Sequence, residues 1–185
     1  GQAGLAAGFY LSWMDVDFVI LDAEASIGET WRKRWDSLRL FTPAKYSSLP
    51  GLSFPAGPFY FPTRNEVADY LQVYAEKYKL PVQFNTRVES IVREGNHYRV
   101  DTGSRLFSTS KVIVATGAYQ KPAIPPWAGE LDKDIKQLHS NAYRNPGQIP
   151  SGNVLVVGAG NSGAEIAIEL ANAGHQGWLS GRYVG

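Results

Sequence analysis

The stretch from Asn153 to His175 constrains the fold more than any other part of the chain. Val154–Val157 is a continuous aliphatic run, which is typical of a strand buried on both faces. A G-x-G-x-x-G motif follows at 158–163, and apolar residues then recur at helical spacing until Gly174, which is placed to end the helix. A strand, a glycine turn and a helix in this order predict a dinucleotide-binding unit.

The glycines of this motif each have a physical reason. Gly158 makes the tight turn, Gly160 lets a pyrophosphate approach bare backbone, and Gly163 lets helix and strand pack closely. The helix N-terminus presents free N–H groups and the positive end of its dipole to the phosphates. The alternative is a strand–turn–helix whose glycines serve packing alone. The candidate binding residues here are Gly158, Gly160, Asn161, Ser162 and Gly163.

Composition argues against several classes of protein. The net charge of +1 gives no strong field for nucleic acid or an anionic membrane. The absence of cysteine rules out a disulphide framework, a thiolate metal site and a redox-active cysteine pair in these residues, and we expect no metal site. The longest apolar run, Gly4–Met14, is too short to span a bilayer. A cytoplasmic location is compatible with these features and is our expectation.

The first residues look like the tail of a second glycine fingerprint, because Gly1-x-x-Gly4 leads into an apolar helical segment. The first glycine of that fingerprint and its strand would then precede Gly1, and residues 1–185 alone would be poorly soluble or bind their cofactor weakly. A strand at 18–21 ends at Asp22, which lies 18 residues after Gly4, near where an acid accepts ribose hydroxyls. The alternative for Asp22 is a solvated aspartate at a strand end.

The segment Gly28-Glu-Thr-Trp31-Arg32 follows this strand. Its backbone and guanidinium could meet a pyrophosphate while the indole covers a ring, so we interpret it as part of a cofactor pocket. Aromatic residues interleaved with basic ones also occur in nucleic-acid-binding patches. Three positive charges on a nearly neutral chain are a poor electrostatic footprint, so we expect no nucleic-acid partner.

The middle of the chain changes from helical to strand periodicity. A capping box, T-x-x-E, at 63–66 predicts a helix whose apolar stripe reaches Tyr78 and packs in the core. Period-2 patterns then predict a short strand at 82–84, an antiparallel meander over 88–110 and a buried strand at 111–115.

The proline-rich residues 118–152 are the best candidate for a connection between lobes. His139 stands next to Ser140 there, but the chain has no G-x-S-x-G elbow, so a hydrolase is rejected. The strand that follows residues 153–175 lacks the acidic residue that would bind the ribose 2′-hydroxyl of NAD. Ser180 and Arg182 stand near its place, which suits a 2′-phosphate and therefore NADP.

Taken in order, these motifs resemble the flavin-containing monooxygenase family, and more closely its bacterial FAD/NAD(P)-dependent oxidoreductases, some associated by name with potassium transport. The resemblance covers nearly all 185 residues, and the ordered set is specific although each piece alone is weak. The matching stretches are GQAGLAAG, VILDA, Gly28-x-x-Trp31-Arg32 with RWDSLRLFTP, FPTRNEVADYL, VIVATG, LHSNAYRNP and VVGAGNSGAEIA.

The expected fold is α/β, with two Rossmann-like dinucleotide-binding lobes of three layers around parallel sheet and a small antiparallel meander. Residues 1–150 would form an FAD-binding domain that lacks its first strand, and 151–185 would begin an NADPH-binding domain. The resemblance implies FAD contacts from Gly1, Gln2, Ala3, Gly4, Asp22, Gly28, Trp31, Arg32, Val88, Ala115, Thr116 and Gly117. For NADPH it implies contacts from Ser140, Tyr143, Gly158, Gly160, Asn161, Ser162 and Gly163. Ser180 and Arg182 are added to this set because they lie near the end of the strand that follows.

The resemblance also implies the chemistry of a flavoprotein monooxygenase. NADPH would reduce FAD, and dioxygen would form a flavin C4a-hydroperoxide that oxygenates a small nucleophilic substrate at sulphur or nitrogen. Two alternatives stay open: a non-oxygenating flavin reductase or dehydrogenase, and a nucleotide-binding fragment without turnover. A homodimer is compatible with these expectations. The sequence singles out no catalytic residue.

Overall fold

The computed structural model describes residues 1–182 and divides into two compact units. Unit 1 comprises residues 1–32 and 39–120, and unit 2 comprises residues 33–38 together with the chain from Lys121 onward. Each unit is a set of residues that lie close together in space, whichever cofactor they bind. The predicted division at residue 150 concerns which cofactor each part binds, and it stays a prediction.

Unit 1 begins with a helix and holds a pair of parallel strands. Its elements up to residue 83 are α1 (Gln2–Trp13), β1 (Ile20–Leu21), α2 (Glu29–Arg32), a 3₁₀ turn (Ala44–Tyr46), α3 (Arg64–Lys77) and β2 (Val82–Gln83). β1 and β2 are parallel, with Ile20 opposite Val82. The predicted capping box is present, since Thr63 and Glu66 bond reciprocally at the start of α3. The core forms where Leu5 of α1 meets Leu71 of α3.

The antiparallel meander is confirmed. Its strands are β3 (Ser90–Glu94), β4 (His97–Asp101) and β5 (Leu106–Thr109), and β4 pairs antiparallel with both neighbours. Gly95 and Gly103 make the two turns at φ +62° and +74°, a backbone region that favours glycine.

Unit 2 contains the strand, glycine turn and helix that the sequence predicts. They are β6 (Val154–Val157) and α4 (Asn161–Asn172), followed by β7 (Gly177–Ser180), which pairs in parallel with β6. Two 3₁₀ turns, Pro126–Glu130 and Pro146–Gln148, lie in the proline-rich segment before them. Gly174 follows α4 at φ +88°, as expected for a residue that ends a helix.

Two expectations about strands are wrong. Residues 111–115 form no strand, and the side chains of Ile113 and Val114 are 61% and 69% exposed. The segment has an apolar strand pattern, but no described strand pairs with its backbone. β6 is not buried on both faces, because Leu155 and Val157 are exposed. Val156 lies on the α4 side of the strand, so by alternation Leu155 and Val157 point to the side that α4 does not cover.

Three tyrosines spaced one turn apart, Tyr70 and Tyr74 on α3 and Tyr78 directly after it, bind the backbone of the loop at 49–52. Tyr70 accepts a hydrogen bond from the first N–H of that loop at 2.6 Å and donates to its last carbonyl at 2.7 Å. Tyr74 and Tyr78 donate to the two middle carbonyls at 2.8 Å and 2.5 Å. The sequence assigned Tyr74 and Tyr78 to core packing alone and gave no role to Tyr70. The rings do pack in the core, and their hydroxyls also hold the loop in place.

We predict that the Tyr74 hydroxyl stabilises the fold in a pH-dependent way. Burial, together with the nearby Tyr78 and Tyr70, raises the pKa of Tyr74 from 10.0 to about 12. The stabilising contribution of the neutral hydroxyl is therefore complete below pH 10.0 and is lost as the pH rises towards about 12. Tyr74→Phe leaves the Pro50 carbonyl without its donor and should lower the free energy of unfolding by about 1–3 kcal/mol at neutral pH.

Chemical denaturation of both proteins at pH 7 and at several values above pH 10 measures this difference. The gap between Tyr74→Phe and the parent protein should shrink as the pH rises. A gap that stays constant over this range would contradict the role assigned to the hydroxyl.

Candidate functional site

The turn between β6 and α4 is built from backbone rather than side chains. Gly158 has a φ of +109°, which strains any residue with a Cβ. Its N–H donates to the carbonyl of Ser180 at 2.7 Å, which ties the glycine turn to the end of β7. Gly181 follows, and a Cβ there would lie 2.5 Å from the backbone nitrogen of Ala159. The structure therefore brings the glycine turn and Ser180 together.

Gly160 and Gly163 have different physical reasons for being glycine. A Cβ at Gly163 would lie 1.8 Å from the carbonyl oxygen of Gly158, so the close approach of α4 to the turn requires glycine. A Cβ at Gly160 would meet no atom of the described residues within 4 Å, and its φ of −74° suits any residue. Protein packing therefore explains Gly163 and does not explain Gly160. An open, bare backbone at this position is what a bound pyrophosphate needs.

The N-terminus of α4 is available to an anion. Gly160 is its N-cap residue, and no side chain of the described chain caps the helix there. The first N–H groups of a helix lack partners within the helix, and they carry the positive end of its dipole. Asn161 and Ser162 are exposed on this first turn, as are Ser180 at the end of β7 and Arg182 two residues later. The donor groups present thus suit the phosphates of a dinucleotide.

The first glycine segment has a similar arrangement in unit 1. Gly4 lies where an added Cβ would be 3.7 Å from the Cβ of Ala115 and 4.0 Å from Ile20, so α1 runs close to β1. The carboxylate of Asp22 lies 3.6 Å from the backbone nitrogen of Gly1 and accepts a hydrogen bond from the N–H of Glu24. The structure therefore brings Gly1, Gly4, Asp22 and Ala115 together.

The Gly28–Arg32 segment is explained largely by contacts within unit 1. Gly28 has a φ of +87°, and a Cβ there would lie 2.7 Å from Ala68 on α3. The Arg32 guanidinium lies 2.9 Å from the carboxylate of Asp69. Trp31 is half-buried and, with Gln2, lines a cavity of about 260 Å³. Of this segment, Trp31 is the residue that the structure places at a cavity.

The rest of the cavity wall was not anticipated from the sequence. It is formed mostly by the loop at 40–49, which contributes the hydroxyl residues Thr42, Ser47 and Ser48, and by Tyr70 of α3. Tyr70 also holds the loop backbone. The sequence signal that could have found this contact is Tyr70 itself, one turn before Tyr74 on the predicted helix, because a buried tyrosine hydroxyl needs a hydrogen-bond partner.

Four residues predicted to bind FAD take no part in the contacts and the cavity described above. Ala3, Thr116 and Gly117 are exposed, and Val88 is 38% exposed just before the meander. Their assignment to the FAD site stays a prediction.

Tyr143, a candidate for NADPH, lies in the core of unit 2 with 2% of its surface exposed. Its hydroxyl donates to the carboxylate of Glu169 on α4 at 2.7 Å. Burial, the hydrogen bond to Glu169 and the charge of Glu169 raise the pKa of this tyrosine well above its usual range. Ser140 is half-buried in the turn that precedes it. Their assignment to the NADPH site also stays a prediction.

Hydrogen bonds in unit 2 join residues 34–36 to residues 141–145, which are far apart in sequence. The backbone N–H of Asp36 donates to the carbonyl of Arg144 at 2.7 Å, and the amide of Asn145 donates to the Asp36 carboxylate at 2.7 Å. Arg34 donates to the side chain of Asn141 at 3.3 Å. No local pattern predicts these contacts, because their partners are about a hundred residues apart.

Across residues 1–182, no helix is both long and apolar enough to cross a membrane. The same residues hold no group of three or more His, Asp or Glu side chains arranged to bind a metal ion.

Residues 1–182 match the family described as pyridine nucleotide-disulphide oxidoreductase. The chain belongs to this family. The match takes in both glycine segments and the strands and helices around them.

Named relatives include oxidoreductases and monooxygenases. An uncharacterized CzcO-like oxidoreductase of Geobacillus kaustophilus is 49% identical over 170 residues, which cover 92% of this chain and 49% of that protein. A protein named probable indole-3-pyruvate monooxygenase YUCCA8, from Arabidopsis thaliana, is 32% identical over 183 residues, which cover 93% of this chain and 43% of that protein. The expected resemblance to flavin monooxygenases and bacterial oxidoreductases is confirmed.

A solved structure is similar over almost the whole chain. The flavin-containing monooxygenase of Stenotrophomonas maltophilia has a TM-score of 0.89 at 38% identity, covering 97% of this chain and 54% of that one. The α/β class with Rossmann-type dinucleotide-binding units is thereby confirmed. The chain spans about half the length of the relatives it matches.

The two glycines of the second turn should respond differently to alanine. Gly160→Ala should lower the free energy of unfolding by at most about 1 kcal/mol, because the added methyl meets no atom of residues 1–182 and only the poorer N-cap preference of alanine opposes it. Gly163→Ala should lower it by about 1–3 kcal/mol, because the methyl overlaps the Gly158 carbonyl. If Gly160 faces a pyrophosphate, Gly160→Ala should also weaken binding of NADP⁺.

Denaturation curves and NADP⁺ titrations of the full-length variants separate these effects. Equal destabilisation by the two substitutions would show that Gly160 is a packing glycine like Gly163.

Proposed function

We propose that this chain is the FAD- and NADPH-binding part of a flavin-dependent monooxygenase. The open backbone at Gly160 carries the proposal: a glycine without a packing reason stands where the helix dipole and free N–H groups meet. The first glycine segment, with Asp22 beside Gly1, supports a second nucleotide site. The named monooxygenases among the relatives support the choice of reaction.

In this proposal Gly1–Gly4 and Asp22 bind the adenosine end of FAD, with Ala115, Thr116 and Gly117 close to it. Asp22 would accept the ribose hydroxyls, because its carboxylate is partly exposed next to the glycine segment. Gln2 and Trp31 would line the space that the remainder of the cofactor enters, since both border the same cavity.

NADPH would lie on the second turn, with its pyrophosphate over Gly158–Gly163 and its 2′-phosphate near Arg182. FAD, when bound, supplies the capacity to accept a hydride from the nicotinamide and to react with dioxygen. The part of these residues is to bind and orient both nucleotides and to limit the access of water. The substrate would be a small molecule with a nucleophilic sulphur or nitrogen.

The reaction type can be tested with the full-length protein, NADPH, ¹⁸O₂ and methyl phenyl sulphide as a model thioether. A monooxygenase should place one ¹⁸O atom in the sulphoxide for each NADPH oxidised in coupled turnover. Oxidation of NADPH that yields hydrogen peroxide and no labelled product, with amines as well as thioethers, would favour a flavin reductase. A protein that binds neither FAD nor NADPH would favour a module without turnover.

We predict that Arg182 selects NADPH over NADH. A charge-assisted contact between the guanidinium and the 2′-phosphate is worth about 1.5–3 kcal/mol, or roughly ten- to hundredfold in affinity. Arg182→Ala should therefore raise the Kd for NADPH by about this factor. The Kd for NADH serves as the internal control and should stay constant, because NADH lacks that phosphate. Equal affinity of the parent protein for both nucleotides would contradict the prediction.

A cytoplasmic location and a homodimer remain expectations from the sequence. Size-exclusion chromatography with light scattering of the full-length protein tests the second.

A further inference from the structure

The hydrogen bond from Tyr143 to Glu169 connects the segment at 139–148 to α4. The tyrosine is 2% exposed, and the 2.7 Å separation from its hydroxyl to the Glu169 carboxylate is that of a charge-assisted bond. The cofactor chemistry proposed above does not use the Glu169 carboxylate. The N-terminus of α4, two turns before Glu169, is the part of this helix that faces the glycine turn.

The segment that carries Tyr143 is itself held firmly within unit 2. Asp36 binds it twice, through its backbone N–H to Arg144 and through its carboxylate to Asn145. Gln148 closes the segment on itself, since its side-chain oxygen accepts from the Arg144 N–H at 2.5 Å. Tyr143 therefore projects from a backbone with several anchors.

α4, by contrast, is held by the close backbone contact at Gly163 and by few buried side chains. Ile166 and Leu170 are its buried residues, and its first turn has no capping side chain among the described residues. Apolar contacts resist separation of the helix from its neighbours but are non-directional, so they constrain its rotation and its shift along the axis weakly. A directional hydrogen bond at Glu169 constrains both, and a shift of the helix moves its N-terminal N–H groups by the same amount.

We propose that Tyr143 and Glu169 are positioning residues for the nicotinamide nucleotide. Their hydrogen bond holds α4 where its N-terminus and Gly160 meet the pyrophosphate, and Tyr143 acts through the helix without touching the nucleotide. This proposal rests on the proposed function, because it requires that NADPH binds at the second glycine turn.

The test uses the full-length, FAD-bound protein and measures the Kd for NADP⁺ by calorimetry, the flavin content by absorbance and the Tm. Tyr143→Phe and Glu169→Ala should each raise the Kd about three- to tenfold and leave the flavin content unchanged. The double variant should be no weaker than either single one, because both remove the same bond. Glu169→Gln keeps an acceptor oxygen and should restore a Kd near that of the parent protein.

Glu165→Ala is the matched control. Glu165 lies one turn earlier on α4 and is half-buried, and its carboxylate accepts no hydrogen bond from residues 1–182, so this variant should leave the Kd unchanged. Weaker binding in Tyr143→Phe but not in Glu169→Ala would show that the tyrosine touches the nucleotide itself, and would overturn the proposal. A lower Tm with an unchanged Kd would overturn it too, because the bond would then serve stability alone. Absence of NADP⁺ binding in the parent protein would instead refute the proposed function, before any variant is compared.

Discussion

The close approach of helix α4 to the turn before it determines how unit 2 can work. The position of Gly163 allows no Cβ, since one would lie 1.8 Å from the carbonyl oxygen of Gly158. Because this contact is made by backbone, the start of the helix lies against the strand end, and within residues 1–182 no side-chain cap is present at Gly160. Every helix N-terminus has free donors and a positive dipole end, and the steric constraint at Gly163 places those of α4 at the end of β6.

Much of this arrangement could be predicted from the sequence, because it depends on local rules. Glycine spacing, strand and helix periods and the capping box at 63–66 specify neighbours within a few residues, and the structure has each of them. The same rules failed at residues 111–115. An apolar, β-branched run predicts that a segment can form a strand, but pairing also needs a partner, and no local pattern specifies one.

The contacts that hold the loops could not be predicted, because they join residues that are distant in sequence. Nothing near Asp36 indicates that its carboxylate meets Asn145. Nothing near Tyr143 indicates that its hydroxyl meets Glu169. Tyr74 and Tyr78 are an intermediate case, since their spacing placed them on one face of the predicted helix but did not show that their hydroxyls bind the loop at 49–52. These contacts shape the cavity beside Trp31 and hold the segment that carries Ser140, so they set the environment of both candidate residues.

The central claim is that each glycine segment is a separate nucleotide site. Hydrogen–deuterium exchange of the FAD-bound, full-length protein with and without NADP⁺ tests it most directly. We expect NADP⁺ to slow exchange at the backbone amides of 158–164 and to leave residues 1–5 unchanged, because FAD already occupies the first segment. Protection by NADP⁺ at residues 1–5, or unchanged exchange at 158–164 when NADP⁺ is bound, would contradict the claim.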